Sequence, residues 1–253
     1  MISSSRQLKD KVRNISDGNS NKATTLIRNF MMERFLERVS ISSYRDNFIL
    51  KGGMLVASIV GVDMRATMDI DTTVKALPLN EADVQRIIEE ICNIPLEATL
   101  DRMRQPIKID ISTDDVITPK AIEYDYKLMF EDRTISVLTY NKETLLAEKM
   151  QTIINRGIAN TRLRDFYDVY SIMNFYEEQI EKRVLYDAFS ATCEKRKTIF
   201  TKDDIEATLH LISDDLHMAE LWGQFQKSNF YVGNLEWKSV IDYVEKIMKK
   251  NLL

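Results

Sequence analysis

The sequence predicts an α+β chain: strands and helices share the stretch up to residue 140, and helices alone follow from residue 141. Three observations carry this. Short stretches before residue 140 alternate apolar and polar residues, the period of a strand. Beyond it the apolar residues recur at helical spacing. Only 7 glycines and 4 prolines punctuate 253 residues, which favours long helices over irregular loops.

Taken in order, residues 1–21 are polar, and SDGNSN (16–21) reads as a loop. Over residues 22–39, Ile27, Phe30, Met31, Phe35 and Val39 fall at helical spacing. DNFILKGG (46–53) reads as a short buried strand ending in a tight turn, with MLVASIV (54–60) as a short helix behind it. MDIDTTVK (68–75) alternates like a strand. Asn80 is placed to cap a helix, with Glu81 and Asp83 in its first turn and Val84, Ile87, Ile88 and Ile91 along one face. IKIDIST (107–113) puts Ile107, Ile109 and Ile111 on one face of a strand and Lys108, Asp110 and Ser112 on the other. IEYDYKLMF (122–130) and TISVLTY (134–140) flank the charged turn at 131–133, as in a hairpin. ETLLAEKMQTII, RDFYDVYSIMNFY, RVLYDAFSATC, DDIEATLHLI and EWKSVIDYVEKIMKK then read as helices.

Composition narrows the function classes. Hydrophobic residues make up 44% and charged residues 29%, the balance of a globular protein. No run approaches the ~18 apolar residues of a membrane span. The opening MISSSRQLKDKVRN lacks the apolar core of a signal peptide. Cys92 and Cys193 stand far apart in no metal-ligand spacing and read as reduced thiols of a cytoplasmic protein. A net charge of −4 argues against a generic basic nucleic-acid binder and leaves a local basic patch open. There is no G-x-S-x-G elbow and no P-loop. His210 and His217 lie seven apart on one helical stretch, which is no zinc signature and argues against a histidine-dependent hydrolase.

The stretch that asks for an explanation is KGGMLVASIVGVDMRATMDIDTTVK (51–75). Gly52 and Gly53 lie between a strand and a helix, where the absence of Cβ lets backbone approach a ligand and the helix N–H groups can hold phosphate. Asp69 and Asp71, at i and i+2 on a strand, share a face and can hold a hard divalent cation such as Mg²⁺. A pair of such ions clamps both oxygens of an in-line phosphoryl displacement. Asp110, on the polar face of a neighbouring strand, would complete a carboxylate triad. Each feature has a plainer alternative: a tight turn for the glycines, an exposed carboxylate for Asp110, and an Arg164–Asp168 pair at i, i+4 for RDFYDVY.

Together, LKGGM (50–54), RATMDIDT (65–72), KIDIS (108–112), LLAEKM (145–150) and RDFYDVY (164–170) resemble the AbiEii-like toxin nucleotidyltransferases, which include the MenT toxins and belong to the polymerase-β-type superfamily. The resemblance implies a nucleotidyltransferase-like mixed β-sheet with flanking helices and N-terminal helices over 1–140, followed by a C-terminal helical bundle over 141–253. It implies NTP as substrate, two Mg²⁺ ions as cofactor, RNA as acceptor (the tRNA 3′ end in several members, which stops translation), and a cognate antitoxin. Asp69 and Asp71 match the metal-binding pair, and Asp110 the third metal carboxylate. Thr67 matches the hydroxyl residue just before the pair, a position that an antitoxin kinase modifies in some relatives. Lys149 matches a lysine that meets the triphosphate, and Asp165 an acidic residue needed for activity. Lys149 is expected at the edge of a helical stripe, its ammonium free to reach phosphate. Broader superfamily members carry a Ser after the first glycine. Here Gly53 and Met54 follow Gly52, so nucleotide contact falls to backbone at Gly52 and Gly53 with Arg65, Thr67 and Lys149. Two alternatives stay open: a small-molecule acceptor of the antibiotic type, and a non-catalytic module that binds nucleotide or a partner.

Overall fold

The computed structural model describes residues 2, 4–61, 65–77, 80–96 and 105–253. It separates into two compact units. The first comprises 1–58, 66–114 and 122–139; the second comprises 59–65, 115–121 and 140–253. Relative to the halves expected from sequence, two short segments, 59–65 and 115–121, pack with the later helices.

The first unit opens with two helices, α1 (Ser5–Ser16) and α2 (Ser20–Ile41). The stretch 1–21 read only as polar, with a loop over 16–21, and α1 occupies most of it. Ser4 caps it by accepting from the Gln7 N–H, and Leu8 and Val12, one turn apart, supply the buried face. They pack with Leu26, Phe30 and Phe130. The loop shrinks to residues 17–19, where Asp17 (φ 47°) and Gly18 (φ 78°) turn the chain and Asn19 caps α2. On α2, Glu33 is buried and accepts from the Met129 N–H (3.0 and 3.2 Å) and the Tyr126 hydroxyl (3.4 Å).

Five strands form one mixed sheet: β1 (Phe48–Lys51), β2 (Asp69–Val74), β3 (Lys108–Ser112), β4 (Ile122–Lys127) and β5 (Thr134–Thr139). Their spatial order is β3-β2-β1-β5-β4. β1 runs antiparallel to β2 and parallel to β5, β2 is parallel to β3, and β4 and β5 form the antiparallel hairpin read from the sequence. Between β1 and β2 runs α3 (Gly52–Val60); between β2 and β3 runs α4 (Glu81–Cys92), capped by Asn80 and burying Ile87 and Ile91.

The second unit contains α5 (Lys142–Arg156), α6 (Leu163–Tyr176), α7 (Lys182–Lys195), α8 (Lys202–Asp214), α9 (Leu216–Ser228) and α10 (Trp237–Leu252). The side chains explain why the two short segments join it. Asn141, the cap of α5, donates to the carbonyls of Thr118 and Lys120 at 2.8 and 3.0 Å. Tyr176 donates to the Ile59 carbonyl at 2.6 Å. The α9 helix was not read from the sequence, because it buries little more than Met218 and Trp222. Asp215 has extended backbone and caps α9, so His210 and His217 lie on separate helices, which corrects the single helical stretch expected for them. Among the described residues, no helix is long and apolar enough to cross a membrane.

Candidate functional site

The carboxylates expected from the sequence meet on the sheet of the first unit. Pairing of β1 with β2 sets Lys51 opposite Asp71, and pairing of β2 with β3 sets Asp71 opposite Asp110. The two-residue period of β2 puts Asp69 on the same face as Asp71. One oxygen from each of Asp69, Asp71 and Asp110 can be chosen so that all lie within 4.8 Å of one another, on half-buried side chains.

The glycine pair is the seat of this cluster. Gly52 has φ +62°, and a Cβ there would stand 2.0 Å from Oδ2 of Asp71 and 2.6 Å from its carboxyl carbon. A side chain is therefore excluded twice, by backbone conformation and by the carboxylate itself. The Gly53 N–H donates to the same Oδ2 at 3.3 Å. Sequence reasoning directed these backbone groups at phosphate; in the structure the N–H of Gly53 meets Asp71.

Burial pushes the Asp71 carboxyl above its ordinary range, and the neighbouring Asp69 and Asp110 charges push the same way. The Gly53 N–H and the Lys51 ammonium oppose them without cancelling them. Such crowding of anions is what a bound cation relieves. Thr67 is buried and donates to Asp69, at 3.3 Å from both the backbone carbonyl and Oδ1. Two lysines to which the sequence reading gave no role border the face. Lys108 Nζ lies 2.6 Å from Oδ2 of Asp110, and Lys51 donates to Ser112 Oγ at 2.8 Å. Strand alternation already put Lys108 beside Asp110, so that signal was available.

The remaining candidates form a charge cluster in the second unit. Lys149 on α5 lies 2.6 Å from Oδ2 of Asp168 and 3.2 Å from Oδ1 of Asp165, both on α6. Arg65 grips Asp168 from the other side, Nε to Oδ1 at 2.7 Å and Nη2 to Oδ2 at 3.2 Å. Burial would raise the Asp168 carboxyl, but the Arg65 and Lys149 charges outweigh it and hold the group below its ordinary value. Burial would likewise lower the Lys149 ammonium, yet Asp168 and Asp165 raise it.

Three of these side chains have partners that the sequence did not indicate. Asp168 pairs with Arg65 and Lys149, where the sequence offered Arg164; the Arg164 side chain instead bonds Tyr231. Arg65, expected to bind nucleotide, is buried and spends its fork on Asp168. Lys149 is 11% exposed and bound by two carboxylates, not an open stripe-edge side chain. Arg65 and Asp168 lie 103 residues apart, so no local spacing could reveal their pairing.

Residues 34–246 match the family model of the AbiEii nucleotidyl transferase toxin of type IV toxin–antitoxin systems, a span that includes both residue groups. No curated protein matches the sequence significantly. Among solved structures, the nucleotidyltransferase toxin MenT4 of Mycobacterium tuberculosis H37Rv superposes with a TM-score of 0.56 over 97% of this chain and 99% of its own, at 11% identity. JHP933 of Helicobacter pylori aligns with a TM-score of 0.48 over 89% of this chain and 94% of its own, at 14% identity. At 11% identity the likeness to MenT4 is one of fold, and it agrees with the mixed sheet and flanking helices described above. The chain therefore belongs to the AbiEii family of toxin nucleotidyltransferases.

Proposed function

We propose that this nucleotidyltransferase moves a nucleoside monophosphate from an NTP to RNA, with the tRNA 3′ acceptor end as the site of modification and a block in translation as the result. Catalysis is metal-dependent in this reading. The observation that carries it is the cluster of Asp69, Asp71 and Asp110 seated on Gly52. Its donors are all hard oxygens, the set that Mg²⁺ prefers. These three carboxylates would hold the ion, or a pair of ions. Bound there, the metal supplies charge neutralisation at the phosphate and a lowered pKa for the attacking hydroxyl. Thr67 orients Asp69 through its hydroxyl. Lys149 supplies positive charge to the triphosphate, and Asp165 is required beside it. A cognate antitoxin restrains the activity.

A net charge of −4 gives the small-molecule-acceptor reading its one specific support, since RNA binding favours cationic surface. Incubation with each labelled NTP, Mg²⁺ and total RNA separates the readings. Label at the tRNA 3′ end is the expected result. Label only in a small molecule would move the acceptor, and absence of any label with all four NTPs would reject nucleotidyl transfer.

A further inference from the structure

Asp168 is the centre of the charge cluster in the second unit. Its side chain is 0% exposed, and both its oxygens are taken. Arg65 engages Oδ1 and Oδ2 with its fork, while Lys149 reaches Oδ2 at 2.6 Å. Asp165 holds the same ammonium more loosely, at 3.2 Å, and is 15% exposed. One arginine and one lysine face two carboxylates, so these four groups are formally neutral together.

The two kinds of contact constrain motion differently. A lysine head on its four-carbon stem is a mobile point charge, whereas a planar guanidinium fixes the plane of the carboxylate it forks. Arg65 thus immobilises Asp168, and the immobilised Asp168 fixes Lys149. Asp165 is the longer and more exposed partner of the two.

We propose that Arg65 and Asp168 are positioning residues for Lys149: Arg65 clamps Asp168, Asp168 aims the ammonium, and Asp165 is the contact that the ammonium exchanges for an incoming phosphate oxygen. Arg65 makes no contact with nucleotide. The inference rests on Lys149 being the phosphate-facing cation, and its test is chosen to stand apart from that reading. Reductive methylation followed by mass spectrometry reads how firmly Lys149 is held, with or without activity, and steady-state kinetics read the consequence.

In Arg65→Lys, which keeps the charge and loses the fork, methylation of Lys149 should rise on the order of tenfold. Its kcat should fall roughly 10- to 100-fold while the NTP KM stays within about twofold of the parent. An increased KM with unchanged methylation would overturn the proposal and make Arg65 a nucleotide contact. Should Arg65→Lys fail to fold, Asp165→Asn decides. Methylation of Lys149 should then stay within about twofold of the parent, because Asp168 still holds it. A tenfold rise there would mean that Asp165 is the anchor and would sink the proposal. If the parent itself transfers no nucleotide, the proposed activity fails, and methylation alone still decides the positioning.

Discussion

Gly52 and Asp71 are complementary to the point that Gly52 cannot gain a side chain while Asp71 keeps its own. Gly52→Ala should cost about 2–4 kcal/mol, combining a left-handed backbone with a Cβ driven into a carboxylate 2.0 Å away. Urea unfolding measures it. Asp71→Ala would not rescue this variant, because the existing Cβ of Asp71 already lies 2.7 Å from the same point. Asp71→Gly should rescue most of the loss, leaving roughly 1 kcal/mol for the positive φ. Asp71→Asn alone keeps an acceptor for the Gly53 N–H and removes the charge. It should hold or raise apo stability while abolishing nucleotide transfer. The pH dependence has a definite sign. The Asp71 carboxyl titrates higher folded than unfolded, so its contribution to stability is best below the unfolded carboxylate range and declines as pH rises through the folded value. Asn at 71 should flatten that decline in thermal melts taken without metal. Lys108 holds one oxygen of Asp110, so Lys108→Met removes a competing cation. The Mg²⁺ concentration that half-saturates the thermal shift should then drop about two- to fivefold.

At the scale of elements, α2 carries a buried carboxyl that most helices would not tolerate. Burial pushes Glu33 up to about 8, against hydrogen bonds from the Met129 N–H and the Tyr126 hydroxyl. The folded protein keeps this proton while the unfolded chain has lost it, so stability falls between about pH 4.5 and pH 8. Glu33→Gln should lessen that slope and raise the melting temperature at pH 8 more than at pH 5. The strand elements were legible because alternation with a period of two leaves little choice of face. Asp110 could be placed on the polar face of β3 from alternation alone. By contrast, α1 and α9 were invisible, since each rests on a pair of buried residues one turn apart, Leu8 with Val12 and Met218 with Trp222. Lys149 was legible as a helical residue near a stripe, but its burial depends on Asp168 and Asp165 across the α5–α6 contact. That burial replaces the free stripe-edge ammonium expected from the sequence. Lys149→Ala should lose about 3–5 kcal/mol along with activity, because it strands Asp168 with one cation fewer.

At the scale of the whole molecule, the chain enters the second unit at 59–65, again at 115–121, and for the last time at residue 140. A fragment ending at residue 140 would leave the first two excursions without the helices they pack among. It should give broad, non-cooperative melting where the full chain unfolds sharply. Ligand linkage offers a further check on the full chain. Mg²⁺ with NTP should raise its melting temperature and leave that of Asp69→Ala unmoved, since only a ligand bound by the native state stabilises it. A comparable rise in Asp69→Ala would remove the carboxylate from the binding event.

The same excursions order events during synthesis. The strands that bring Asp69, Asp71 and Asp110 together are all translated once residue 112 has been added. Arg65 is made before them, yet the carboxylate it grips is added 103 residues after it. A growing chain therefore carries a complete carboxylate face long before Lys149 has its anchor. On the proposed reading, a nascent toxin remains harmless to the ribosome that is making it, and a message interrupted before codon 168 yields a product that lacks the anchor of Lys149 and cannot poison the cell.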